Sequence, residues 1–97
     1  MHRFNPDKKT AMPWAAVDAM SKLIQLNEIK HPGQEWRNET MDYHFLHCMN
    51  HMIEYMLKKN TIDSESGMSV IVHAATRLAM AVEVEIEEQK KLKIEIL

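Results

Sequence analysis

The chain has almost nothing that interrupts a helix: two glycines and three prolines in 97 residues, falling at a few places only. This scarcity argues against an all-β fold, which needs a Gly- or Pro-bearing turn every ten residues or so. A single cysteine, Cys48, excludes an intramolecular disulfide framework. A net charge of -2 and a pI near 6.3 supply none of the basic excess that binding to a nucleic acid polymer requires. No run approaches the roughly 18 apolar residues of a membrane span, because Arg77, Glu83 and Glu85 break the longest candidate. Nothing at the N-terminus reads as a secretory leader, so a cytoplasmic location is expected, with no membrane partner.

What is present is an ordinary globular balance of 45% hydrophobic and 27% charged residues, enough for one modest core rather than a disordered chain. A chain this short buries only about 60 to 65% of the surface its unfolded form exposes, which makes oligomerisation an expectation. The reading is all-α: a three-helix domain over 1–97 with a helical hairpin and a long C-terminal helix, oligomeric. A leader occupies 1–11, helices 12–31, 40–59 and 64–90, and a tail 91–97.

Pro13 suits a first helical turn, and Ala16, Met20, Leu23 and Ile24 share one side until Lys30, His31, Pro32 and Gly33 end the helix. Helix two should place Phe45, Met49, Met52, Ile53 and Met56 inward, with Lys58 and Lys59 against the negative end of its dipole. Asp63 or Ser64 should cap helix three, whose expected core residues are Met68, Ile71, Val72, Ala75, Leu78, Ala79, Val82 and Ile86. That helix would be roughly 40 Å long, so its far end should project. The tail KLKIEIL alternates like a strand but equally continues a helix, and is expected to pack on another subunit.

The chemistry is concentrated between Asp42 and Ala75. At about 100° per residue His44, His47, His51, Glu54 and Lys58 form one polar stripe, nearly opposite the methionines. Across the turn centred on Ile62, His51 and His73 fall at one level of an antiparallel hairpin, and His47 and Arg77 at the next. The wheels nevertheless turn both polar stripes away from the apolar seam. The simplest reading of the histidines is therefore a solvated face; helix one or a second chain laid over His44 to Lys58 would instead make a lined cleft, in the second case with the ligand at a subunit boundary. A metal would draw on His51, Asp63, Glu65 and His73, without any HExxH-type signature. Arg37 and Arg77 are the candidate phosphate contacts, with Lys30 beside them. Trp36 is a candidate either for core packing or for stacking on a purine ring, whereas Trp14 should pack helix one into the core.

The order of features, Pro13-Trp14, then Trp36-Arg37, His51, Asp63-Ser64-Glu65-Ser66-Gly67 and His73-Ala74-Ala75, resembles the N-terminal domain family of phage dATP/dGTP diphosphohydrolases over about residues 7 to 85. The resemblance implies a phage-encoded, all-α protein of the host cytosol acting on purine nucleotides, with Mg2+ or Mn2+ when catalytic. The family pattern has an Arg where Asn50 stands, a Pro-His pair where Ser69-Val70 stands, and Gly-Lys-Pro where Asp7-Lys8-Lys9 stands. Missing a cation and an imidazole weakens turnover more than binding. The EExxE and ExxD clusters of the all-α pyrophosphohydrolases are also missing, and Glu83, Glu85, Glu87 and Glu88 read as a solvated face. The expected function is thus a degenerate nucleotide-binding protein, a homo-oligomer holding a purine nucleotide or a cyclic nucleotide signal through Trp36, Arg37, His47, His51, His73 and Arg77. The alternatives are a metal-dependent purine nucleoside triphosphate diphosphohydrolase, and a helical scaffold or inhibitor binding a host protein.

Overall fold

The computed structural model describes residues 12–96, and side chains as far as Ile94. The leader 1–11, Leu97 and the side chain of Ile96 lie outside the described residues. Three α-helices, α1 (Trp14–Lys30), α2 (Met41–Met56) and α3 (Val70–Ile96), are joined by a 3-10 turn (Glu35–Asn38) and by a compact turn between α2 and α3. Among the described residues there is no strand, only the isolated bridge between Ile62 and Ser69, so the all-α expectation holds. No described helix is long and apolar enough to cross a membrane.

Pro13 stands one residue before α1 rather than inside it. At the far end of α1, Gly33 and Gln34 adopt positive φ, and the Glu28 carboxylate accepts from both of their backbone N–H groups, at 2.9 and 3.1 Å. Helix α2 is capped by Thr40, whose Oγ1 accepts from Tyr43 N at 3.1 Å. It stops three residues earlier than expected. Lys58 takes φ 53°, Lys58 N donates to Tyr55 O and Lys59 N to Glu54 O, which is the paired closure of a Schellman motif. The two lysines consequently form the turn and do not extend the last turn of the helix.

Helix α3 begins at Val70, six residues later than the sequence suggests. Asp63 caps a turn rather than the helix: its Oδ2 accepts from Ser66 N at 2.8 Å, its carbonyl accepts from Gly67 N, and Gly67 has φ 69°. Met68 O and Thr61 O then accept from Asp63 N and Val70 N, closing the loop as a short antiparallel bridge. Ser69 Oγ meets Ile71 N at the start of the helix. The tail continues as helix to Ile96, and Leu92 and Ile94 are exposed, so the end of α3 projects.

The largest departure concerns which faces meet. The hairpin of α2 and α3 buries Cys48, Val70, Ala74, Ala81 and Val84, and with them His44, which has no solvent exposure at all. Phe45, Met49, Met52, Ile53 and Met56 are exposed instead, as are Ile71, Ala75, Leu78, Ala79, Val82 and Ile86 on α3; Met68 and Val72 are half-buried. The chain's own α3 thus covers His44 and half-buries His47, His51 and Glu54, while Lys58 stays exposed. The spacing explains the geometry. His44, Cys48, His51 and Tyr55 on α2, and Val70, Ala74, Arg77, Ala81 and Val84 on α3, alternate steps of four and three, the seam pattern of paired helices. Ala74 and Ala81 leave room for the imidazoles opposite. Helix α1 packs on α3, where Leu23 and Met80 are buried, and Trp14 is only half-buried.

Candidate functional site

One cleft of about 310 Å3 opens where α1, the 3-10 turn, Tyr43 and α3 meet, lined among others by Asn27, Trp36, Glu39, Tyr43, His73 and Arg77. A smaller cavity of about 110 Å3 adjoins it, sharing Leu23, Asn27, His31 and His73 and adding Lys30, Asp63 and Ser66.

His44 organises the inner wall. Its Nε2 lies 2.9 Å from Trp36 O, and because a carbonyl only accepts, that nitrogen carries the proton. Nδ1 therefore presents a lone pair, which meets Arg77 Nη1 at 3.3 Å. The Arg77 guanidinium also stands 5.6 Å from the Tyr43 ring, and no carboxylate pairs with it among the described residues. Trp36 and Tyr43 present their rings edge-on to His44, at 6.4 and 5.8 Å between centroids. A buried imidazole thus ties the 3-10 turn and α3 together through α2.

Arg37 has a different fate. Its guanidinium covers the Trp36 ring at 4.4 Å and pairs with Glu87, with Glu83 at 3.9 Å. Two of the carboxylates expected on a solvated face therefore neutralise the arginine expected on phosphate.

The histidines are where the level argument put them: the His51 and His73 rings are 5.2 Å apart. His73 Nε2 shares a 2.8 Å hydrogen bond with Ser66 Oγ, and Asp63 Oδ2 is 3.7 Å away. Asp63 is held below the usual carboxylate range chiefly by the backbone N–H of Ser66. Burial, reinforced by the His73 charge, lowers the pKa of His51, whose Nδ1 is buried without a hydrogen bond and faces Glu54 at 3.8 Å. His47 is likewise lowered by burial and then by Arg77; its ring packs 4.5 Å from Tyr43. Burial raises the pKa of Cys48, which packs in the seam with its Sγ 3.8 Å from Met52 Sδ.

A sequence model of the dATP/dGTP diphosphohydrolase N-terminal family matches residues 5–93. The chain belongs to that family. No curated protein and no solved structure matches it. Within this family member the two stretches that carried the resemblance, Asp63 to Gly67 and His73 to Ala75, prove to be one hydrogen-bonded unit through Ser66.

Three of the donors named for a metal, His51, His73 and Asp63, lie close together, but all four are engaged with other groups. His73 and Asp63 are engaged with Ser66, Glu65 faces Lys30 at 3.5 Å, and His51 Nδ1 faces Glu54. Among the described residues no group of three or more His, Cys, Asp or Glu side chains is arranged to hold a metal ion. The described residues thus offer Mg2+ or Mn2+ no preformed set of ligands.

Of the candidates, Trp36, His73 and Arg77 line the cleft, while His47 and His51 stand in the seam behind it. Asn27, Tyr43 and His44 were not singled out as site residues. The four-three spacing of His44, Cys48, His51 and Tyr55 was the signal available for His44; nothing in the sequence marked Asn27.

Proposed function

We propose that this family member binds a purine nucleotide in the 310 Å3 cleft and holds it without turnover, as a phage-encoded protein that sequesters a nucleotide. The observation that carries the reading is Arg77: a guanidinium aimed by a buried histidine into a cleft with aromatic walls, with no carboxylate of the described residues within ion-pair distance, although Glu35 and Glu39 line the same cleft. Such a group is suited to phosphate, and Trp36 and Tyr43 to a base. The volume lies at the small end of ligand sites, near one mononucleotide. A cyclic dinucleotide would have to run on into the adjoining cavity beside Lys30 and Ser66. The family's name supplies the purine deoxynucleotides as first probes.

Absence of turnover is supported by the residues at Asn50 and Ser69-Val70 and by metal donors that are already engaged with Ser66 and Lys30. The test is to add dATP, dGTP and cyclic dinucleotides, with and without Mn2+, and to follow thermal shift and product together. Saturating ligand should stabilise the fold by about 2.7 kcal/mol at a hundredfold excess over Kd, and be recovered intact after denaturation. Release of pyrophosphate would establish the diphosphohydrolase instead; absence of any shift would favour a protein-binding scaffold.

A further inference from the structure

The hairpin is inside out with respect to hydrophobicity, and the described residues leave its outer side exposed. Phe45, Leu46, Met49, Met52, Ile53 and Met56 occupy one arc of α2, each between 37 and 74% exposed. Ile71, Leu78, Val82 and Ile86 form the corresponding arc of α3, between 40 and 50% exposed. At about 100° per residue both arcs lie about 130° from the shared seam, and in an antiparallel pair these rotations carry them to the same side. Helix α1, Thr76 and the cleft lie on the other side of α3. The two stripes therefore form one continuous apolar surface across both helices.

We infer that this surface is the interface with a second copy of the chain, opposite the nucleotide cleft. Six half-exposed large side chains on α2 amount to on the order of 600 Å2, and the four of the α3 arc take the total past the roughly 800 Å2 that each partner contributes to a specific interface. A monomer rarely leaves so large an apolar patch open. Residues 1–11 have few apolar side chains to lay on it, Met1, Phe4, Pro6 and Ala11 among Arg3, Asp7, Lys8 and Lys9. An anionic lipid surface calls for Lys and Arg along the apolar edge. Up to Ile86 the charges at these arcs are Asp42 and Glu85, both acidic, and a lysine, Lys93, follows on the same face only beyond it. A face that is uncharged from Phe45 to Ile53 is compatible with itself, and a two-fold axis lets the same patch serve both copies.

Sedimentation equilibrium of the intact chain at micromolar concentration should give a mass of at least twice 11.4 kDa. Met49→Glu should reduce it to the single-chain mass while far-UV circular dichroism keeps its helical signal, because this side chain is exposed within one chain. Should that variant fail to fold, oxidation of Met49→Cys distinguishes the cases: a covalent dimer is expected there, and none with Gln25→Cys on α1. Deletion of residues 1–11 should leave the mass unchanged. A single-chain mass for the intact protein, an unaltered mass in Met49→Glu, dimerisation only after the deletion, or binding to phosphatidylglycerol vesicles by a chain otherwise monomeric would each overturn the assignment.

Discussion

The inner and outer faces of the α2–α3 hairpin are made by the same two helices and obey different rules. The inner face carries His44, His47, His51, His73 and Arg77 between small residues, and most of its polar groups are paired. The outer face carries the larger side chains and is left exposed by the described residues. Burial in this protein thus follows shape and hydrogen-bond satisfaction before hydrophobicity. A seam of this kind gives less transfer energy than a leucine seam, and it depends on each partner, since one orphaned buried group costs about 1 to 3 kcal/mol.

The sharpest way to break the comparison is His44→Ala, which leaves Trp36 O and Arg77 without their shared partner and opens a cavity. A loss of about 3 kcal/mol in unfolding free energy is expected by urea titration; a loss under a third of that would mean the seam does not depend on the imidazole. Next comes ligand affinity. Arg77→Ala should weaken nucleotide binding roughly 10- to 100-fold by calorimetry, as for a charged hydrogen bond. Arg37→Ala, already neutralised by Glu87, should leave it nearly unchanged. Equal losses for the two would dissolve the distinction drawn between them.

The third test uses protons. His47 and His51 have folded pKa values below their ordinary value of 6.5, so the unfolded chain takes up protons first as the pH falls. Their contribution to stability is complete above about pH 6.5 and is lost progressively below it. The melting temperature should therefore fall between pH 7.5 and pH 5.5, and His51→Asn should flatten that slope; an unaltered slope would remove His51 from the seam's titration. The smallest effect belongs to the outer face. Met56→Ala, at a side chain 74% exposed, should change unfolding by less than about 0.5 kcal/mol at protein concentrations low enough to prevent association.

Much of the layout was legible in the sequence. Scarce Gly and Pro gave three helices, and counting from the turn put His51 level with His73. The exchange of faces was not legible, because each helix carries two complete stripes and the wheel ranks them by hydrophobicity alone. His44 satisfies both ring nitrogens through groups distant in sequence, Trp36 O and Arg77, which no local pattern discloses. The start of α3 was misplaced for a local reason: Asp63 and Ser66 have good capping chemistry but spend it on closing their own turn. Of the cleft, Trp36 and Arg77 were legible as residue types with scarce alternatives. The neutralisation of Arg37 depended on Glu83 and Glu87, some fifty residues away.

The turn between α2 and α3 also bears on the order in which the chain acquires its structure. Residues 57–69 are fixed by hydrogen bonds among near neighbours, and Ser66 reaches His73 only seven residues on. Closing so short a loop costs little chain entropy, and topologies rich in local contacts fold fast. Helix α1 is separated from its partner α3 by the whole of α2, so its docking closes a much longer loop. In pulse-labelling hydrogen exchange the amides of the turn and of the adjoining halves of α2 and α3 should gain protection first, with α1 following and the cleft beside Arg77 forming last.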